Sequence, residues 1–397
     1  MKYNLFNINN YTIDTSKFTH LLNDSVKYEF EKKFAEYVGA SYACSASSAS
    51  ILLYIASKFL TTSIPAKSLS QHPFFLPSML PPAVANIVHH LGVPCVWTDN
   101  VDWVGKAYTL FDANKAMKCT GCPKTQQQNF PKIIDSSQEV RRNQFSEDAT
   151  PEDIMIFSFY PTKPVGGMDG GMMVTNDARA AAYFKTVTNL GNKDDSHNYP
   201  DEQKEQVEAN SQRQLIDKIQ GMQGLTDEER ERILQEELDA IKQSKKAGSP
   251  QSKANAVSSW ESKLLFPGWK AHANSAQCYV ALRNLEKLDE KNKRLETIRS
   301  KYNDAFGLNN ISNYLYRIDV EDRNGFMLDM ESKGIQTGIH YHALHKHPFY
   351  DIICPPDMQS TESKAQTTVS IPFNETLDDD SVGLIIKEIK ETGKLTK

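Results

Sequence analysis

Apolar and polar positions change period several times along the chain, and each change marks an element. Val26, Phe30, Phe34, Tyr37 and Val38 recur at helical intervals, which predicts a helix over 26–38 with one apolar face. Asn23, Asp24 or Ser25 supplies its cap and Gly39 stops it. A short strand at 41–44 then meets Ser45-Ala-Ser-Ser-Ala-Ser50 and a run, 51–56, apolar enough on all sides for a buried helix. A helix at 83–91 and a strand at 94–98 follow. Residues 99–131 show no readable period and carry Gln126–Gln128 as a polar loop. Further on, Lys132–Asp135, Asp153–Phe159 and Met172–Thr175 are short apolar runs of the kind that form buried strands, and 178–187 predicts a helix.

The last third alternates differently. Leu282, Leu285 and Leu288 form one stripe of a helix over 279–288. Strands at 314–320, 338–341 and 367–372 alternate with helices at 323–333 and 381–391, which describes a small α/β layer. Between the two parts, roughly 194–260 is highly charged. Narrow apolar stripes at 214–220 and 231–241 flank Gly221–Gly224, and Thr226-Asp-Glu-Glu229 has the form of a capping box. A charged helical hairpin is expected there, either a solvated appendage or a lid or subunit contact, with 245–253 as the linker back.

Composition narrows the class. A chain of 397 residues, 39% hydrophobic and 24% charged, has the length and balance of a folded protein with more than one core. A net charge of −5 gives no reason to expect nucleic acid. No apolar run is long enough to span a bilayer. The N-terminus lacks the apolar core and small-residue cleavage site of a signal peptide, so a cytoplasmic location is expected. Six scattered cysteines do not make a disulfide framework in a chain this long. Cys119-Thr-Gly-Cys122 has metal spacing, but a structural zinc needs two further ligands and no second such pair exists. The run from His340 to His347 also invites a metal reading, but no metal is expected.

Three places carry possible chemistry. In Phe157-Ser-Phe-Tyr-Pro-Thr-Lys163-Pro-Val-Gly-Gly-Met-Asp-Gly-Gly171, one lysine follows a strand end, beside hydroxyls and ahead of a glycine-rich turn; the plain alternative is a solvated loop charge. The strand, small-residue turn and helix over 41–56 make a phosphate seat, since a helix N-terminus presents free N–H groups and positive potential; the alternative is a serine-rich cap with no ligand. Asp135 ends a predicted strand, where ligands gather in open α/β sheets; the alternative is a carboxylate capping the next turn.

Taken together these stretches resemble the DegT/StrS-type nucleotide-sugar aminotransferases. The lysine segment is similar to the family's S-F-x-P-T-K, glycine turn and V-T-N-D. Phe30–Gly39 with Ser48-Ala-Ser-Ile-Leu-Leu53 is similar to the segment leading into the phosphate turn S-G-T-x-A-L, with Ala49 where glycine is usual. Asp135-Ser-Ser-Gln138 resembles D-A-A-Q. The resemblance covers most of 28–390 outside the insertion.

What it implies is specific. The fold would be aspartate aminotransferase-like: a large mixed-sheet domain flanked by helices over 1–265, carrying the insertion at about 194–260, and a crossing helix with a smaller C-terminal α/β domain over 266–397. Lys163 would carry pyridoxal 5′-phosphate (PLP) as a Schiff base, and Asp135 would hold a proton on its ring nitrogen. Gln138 would lie near the ring hydroxyl, with Ala49, Ser50 and Ser158 at the phosphate. Gly268-Trp-Lys-Ala-His272 aligns with G-Y-N-x-R. It puts Lys270 where the family's asparagine reaches the phosphate of the neighbouring subunit, and so implies a homodimer with shared sites. Relatives show a similar G-I-H-Y…L-H run, which assigns His340 and Tyr341 to substrate and His345 to substrate or packing. Relatives also place an aromatic ring near Leu80–Pro81, where this chain has Met79, Leu80, Pro81 and Pro82, so proline or methionine packing is expected instead.

The implied reaction moves an amino group from an amino acid, glutamate by resemblance, to a keto carbon of a nucleotide-linked deoxysugar. Lys163 argues against the family's sugar-dehydratase branch, which has histidine there. The alternatives are a PLP enzyme of the same fold acting on a cyclitol or amino acid, and a non-catalytic protein that binds PLP or a sugar nucleotide.

Overall fold

The computed structural model describes residues 2–8, 25–63, 73–112, 131–192, 264–350 and 357–396, with isolated positions at 13–16 and 226–236. Cys119, Cys122, Gln126–Gln128 and the helices expected at 214–220 and beyond 236 lie outside the described residues. By contact, 1–176 with 273–397 form one unit and 177–272 a second.

The first unit is built on a mixed sheet. Helix α1 (Ser25–Val38) ends at Gly39, whose φ of +76° is open to glycine at little cost. Strand β1 (Tyr42–Ala46) leads into α2 (Ala49–Ser63). Then come β2 (Phe74–Pro77), α3 (Pro82–Leu91), β3 (Cys95–Thr98) and β4 (Tyr108–Phe111). After them lie β5 (Ile133–Asp135), the short α4 (Gln144–Asp148), β6 (Ile154–Ser158) and β7 (Gly171–Thr175). Five strands pair in the order β1-β7-β6-β5-β4, while β2 and β3 form a separate parallel pair. Among the described residues, β5 and β6 alone run parallel within the larger sheet. All residues of β5, β6 and β7 are buried, which is why their sequences read as continuous apolar runs rather than alternating ones.

Helices cover this sheet through the apolar positions that the helical spacing marks out. Phe30 and Phe34 of α1 pack on Phe157 and Phe159, with ring centroids 5.0–5.3 Å apart. Cys278, Leu282 and Leu285 of α6 (Ser275–Glu286) join the same core. Asn274 and Gln277 form a reciprocal capping box at the start of α6. The expected single helix over 279–288 is interrupted: α6 ends at Lys287 and α7 (Leu288–Phe306) starts at once.

Strands β8 (Tyr316–Asp319) and β9 (Thr368–Ile371) pair antiparallel. Helices α8 (Arg323–Ser332), α9 (Gln359–Thr367) and α10 (Asp379–Glu391) accompany them. Tyr302, Tyr316, Phe326, Ile371 and Ile385 fill a second core between α7, α8, α10 and this pair. The strand expected at 338–341 reduces to one bridge, Gly338 to Ser370, closed by two backbone bonds of 2.8 and 3.0 Å. Beyond it His340 stays against β9 through its hydrogen bond to Ser370, while Tyr341 meets Gln138 and Trp103.

In the second unit, α5 (Ala178–Thr188) is capped by Asp177, and 264–271 pairs back on its C-terminal end. Trp269 and Ala271 donate N–H bonds to Val187 and Thr188. Gly191 has φ +80°, and a Cβ there would meet the Phe266 carbonyl oxygen at 1.6 Å, so no other residue fits. The capping box expected at Thr226 and Glu229 is formed in both directions, at 2.8–3.2 Å.

One contact carries straight to the site. A Cβ on Gly171 would lie 2.6 Å from both the Cα and N of Ala49, so β7 touches the first turn of α2 backbone to backbone. The glycine that resemblance would place at position 49 is absent, and the close approach is made from across the contact by Gly171. Gly171→Ala is expected to lower folding stability by about 1–3 kcal/mol through overpacking, measured as a drop in the denaturant midpoint at unchanged m-value; an unshifted midpoint would show that this contact yields freely.

Candidate active site

A cavity of about 290 Å³ opens at the carboxyl ends of β5 and β6 and the N-terminus of α2. Ser48, Ala49 and Ser50 line one end, Asp135 and Gln138 another, and Ser158 and Lys163 border the same space. Residues from three distant stretches are therefore brought together. The parallel register of β5 on β6, with Asp135 opposite Ile156, puts the carboxylate beside the strand that ends in Ser158.

Each group is held by local bonding. Asp135 is buried; its Oδ1 accepts from the Ser137 N–H at 2.9 Å and its Oδ2 from the Tyr108 hydroxyl at 3.1 Å. Ser48 Oγ accepts from the Ile51 N–H at 3.3 Å. N–H groups in the first turn of a helix lack an intrahelical partner, which is the usual condition for an anion seat. Ser158 Oγ accepts from the Tyr160 N–H at 3.3 Å.

Lys163 stands on a turn closed by its own N–H to the Tyr160 carbonyl and by Gly167 N–H to the Phe159 carbonyl, both at 2.8 Å. Two side chains from the helices clamp the carbonyls after it: Lys291 Nζ donates to Pro164 at 3.1 Å, and Asn284 Nδ2 donates to Gly166. The Lys163 ammonium lies over the Tyr314 ring, 4.8 Å from its centroid, a cation–π contact.

Gln138 is bonded at both ends of its amide. Its Oε1 accepts from the Gly105 N–H at 2.8 Å, and its Nε2 donates to the Tyr341 hydroxyl at 3.1 Å, leaving one amide hydrogen for a ligand. The Tyr341 ring stacks parallel on Trp103, with centroids 6.1 Å apart, and Trp103 tilts against Tyr108 at 4.7 Å.

His340 and Tyr341 are not part of the cavity lining. His340 shares a hydrogen bond of 3.0 Å with Ser370 through Nδ1. Burial first, then the charges of Lys163 and Arg317, push its pKa down to about 4, so the imidazole is neutral at pH 7. His345 is a packing residue: its Nδ1 lies 2.6 Å from Ser78 Oγ and its Nε2 3.6 Å from Glu362. Lys270 is exposed in the second unit, where it bridges to Asn189. Of Met79, Leu80, Pro81 and Pro82, only Pro81 lines the cavity, beside Ala83 and Val84.

No motif points to Trp103, Lys106 and Tyr108, which border the cavity, or to Tyr314. All but Tyr314 lie in the stretch without readable period. Tyr314 is expected only as the first residue of a strand.

Residues 147–220 and 226–390 match the profile of the DegT/DnrJ/EryC1/StrS aminotransferase family. The chain belongs to that family. Among curated proteins, this DegT-family aminotransferase is similar to the spore coat polysaccharide biosynthesis protein SpsC of Bacillus subtilis (strain 168), 22% identical over 92% of this chain and 89% of the relative. Its fold is that of the aminotransferase TlmJ from Streptoalloteichus hindustanus (TM-score 0.65, 16% identity, 98% of each chain). It is likewise that of the putative sugar aminotransferase Spr1654 from Streptococcus pneumoniae in its PMP form (TM-score 0.64, 15% identity, 97% and 98% of the two chains). The mixed α/β architecture expected from the sequence is thus the fold of the DegT-family aminotransferases. Among the described residues of this family member, no helix is long and apolar enough to cross a membrane.

The depressed His340 pKa has a consequence for stability. An unfolded imidazole titrates near 6.5, above the folded value of about 4, so the unfolded chain binds the proton first. Stability present above pH 6.5 is lost as pH falls toward 4, on the order of 3 kcal/mol when complete. His340→Gln is expected to flatten the stability profile across that interval in urea titrations at stepped pH; an equally steep profile in the variant would assign the effect elsewhere.

Proposed function

We propose that this aminotransferase uses PLP to move an amino group from an amino acid, glutamate by family resemblance, to a keto carbon of a nucleotide-linked deoxysugar. What carries the reading is that Lys163, Asp135 and the α2 N-terminus border one cavity. When bound, PLP supplies an aldehyde that takes up amines and a ring that accepts electrons from the substrate carbon.

The residues of this chain match what such a cofactor needs. The first turn of α2 and Ser158 offer hydrogen-bond donors to a phosphate without a covalent role. Asp135, an acceptor with donors on both oxygens, holds a proton at the ring nitrogen. Gln138 has one N–H left for the ring hydroxyl. Lys163 gives the amine that links the cofactor and then moves protons at the substrate carbon; the Tyr314 face seats its ammonium when it is unlinked. Pro81 supplies an apolar wall at the position where relatives carry a ring. His340 and Tyr341 act from behind the cavity wall, on substrate that enters past it. The protein is a homodimer in this reading, and Lys270 of one subunit gives a full positive charge to the phosphate in the other. The reaction takes place in the cytoplasm.

The names of relatives support the acceptor class: SpsC is a polysaccharide biosynthesis protein and Spr1654 a putative sugar aminotransferase. A same-fold enzyme acting on a cyclitol or amino acid has no observation of its own in its favour.

The purified protein is expected to show the visible absorption of lysine-linked PLP, lost in Lys163→Ala and converted by glutamate to the spectrum of the amine form. Asp135→Asn should still bind PLP but turn over at least a hundredfold more slowly. A colourless wild type that takes up no PLP ends the proposal, and so does an Asp135→Asn enzyme at full rate. Lys270→Ala is expected to weaken PLP binding several-fold at an unchanged melting temperature; unaltered affinity removes the cross-subunit role. Screening 3-keto and 4-keto nucleotide sugars with glutamate identifies the acceptor.

A further inference from the structure

The hydrogen bond between Tyr108 and Asp135 is built by the sheet itself. In the antiparallel pairing of β4 with β5, Tyr108 stands directly opposite Asp135, so the two side chains project from the same face. Both are buried, both border the cavity, and the phenol donates to Oδ2 at 3.1 Å. The phenol is fixed from its other sides as well. Trp103 tilts against it at 4.7 Å, and Trp103 is backed by the parallel ring of Tyr341. Gly105, two residues after Trp103, is tied to Gln138. Tyr108 therefore has little freedom to turn away from the carboxylate.

We infer that Tyr108 is a positioning residue for Asp135: its hydroxyl fixes one carboxylate oxygen and aims the group, so that the ring nitrogen of bound PLP keeps its proton. This rests on the PLP reading above. A carboxylate stabilised by a second donor is a weaker competitor for that proton, and without the phenol the proton shifts from nitrogen toward oxygen. Burial and the adjacent Asp135 charge raise the phenol's own pKa well above its usual value, so Tyr108 stays protonated and donating at any pH at which the enzyme works. A role confined to packing predicts something different, since phenylalanine fills the same space.

The test uses the full-length holoenzyme and Tyr108→Phe. PLP labelled with 15N in the ring reports nitrogen protonation directly by its NMR shift. Moving toward the neutral pyridine value is the expected result for the variant, with kcat lowered roughly ten- to hundredfold, the effect of one hydrogen bond to a charged group, and KM for both substrates within about twofold of wild type. In an Asp135→Asn background, Tyr108→Phe should add less than about twofold, because the bond it removes is already altered. An unchanged 15N shift in Tyr108→Phe, or effects of the two substitutions that multiply, overturns the inference while leaving the PLP reading intact. A wild-type protein that binds no PLP overturns both. If Tyr108→Phe does not fold, fluorotyrosine at position 108, a stronger donor of the same shape, should move the shift the opposite way; no movement overturns the inference.

Discussion

Asp135 is buried at the end of a three-residue strand, and a charge in such a place persists only with donors around it. The backbone of Ser137 serves one oxygen and the hydroxyl of Tyr108 the other. Much of the surrounding architecture follows from keeping that arrangement intact. β4 has to lie at the sheet edge in the register that faces Tyr108 to Asp135, and β5 has to run parallel to β6 so that the carboxylate shares a cavity with Ser158 and Lys163. The aromatic stack behind Tyr108 then closes the wall.

The opposite end of the cavity obeys a steric rule in place of an electrostatic one. Backbone amides attract an anion only where they are close and unshielded. The contact of Gly171 with Ala49 brings the first turn of α2 against β7, and the glycine-rich segment that leads there is the one that presents Lys163. Clamping of the Pro164 and Gly166 carbonyls by Lys291 and Asn284 ties the same turn to the helices that lead to the C-terminal layer. Lys163 and the first turn of α2 thus share a support.

Elements whose burial is uniform were legible from the amino-acid order. β5, β6 and β7 are buried throughout and show as apolar runs, and α1 buries one face and shows as a period. Lys163 and Asp135 stood out because each follows such a run. Tyr108 did not, and the reason is local: β4 carries a register shift between Thr109 and Phe111, so Leu110 and Phe111 are buried in succession and the alternation that marks a strand is lost. The expected strand at 338–341 failed for a related reason. Only Gly338 is paired, and β-forming residues such as Ile339 and Tyr341 gave a propensity that tertiary contacts overrode. The Lys163–Tyr314 contact joins residues far apart in the chain, and no spacing rule reports a meeting of that kind.

Gln138 has one more implication, which concerns synthesis on the ribosome. Its amide binds Gly105, 33 residues away, and Tyr341, 203 residues away. Translation at ~5–20 residues per second leaves this side chain without its second partner for ten seconds or longer. Lys163, Asp135 and the first turn of α2 all precede residue 172, yet Tyr341, which backs Gln138 and Trp103, comes only with the C-terminal layer. A nascent chain therefore carries Lys163 and Asp135 before the side chains that back their cavity exist, and the cavity is finished only after the C-terminal layer has been synthesised.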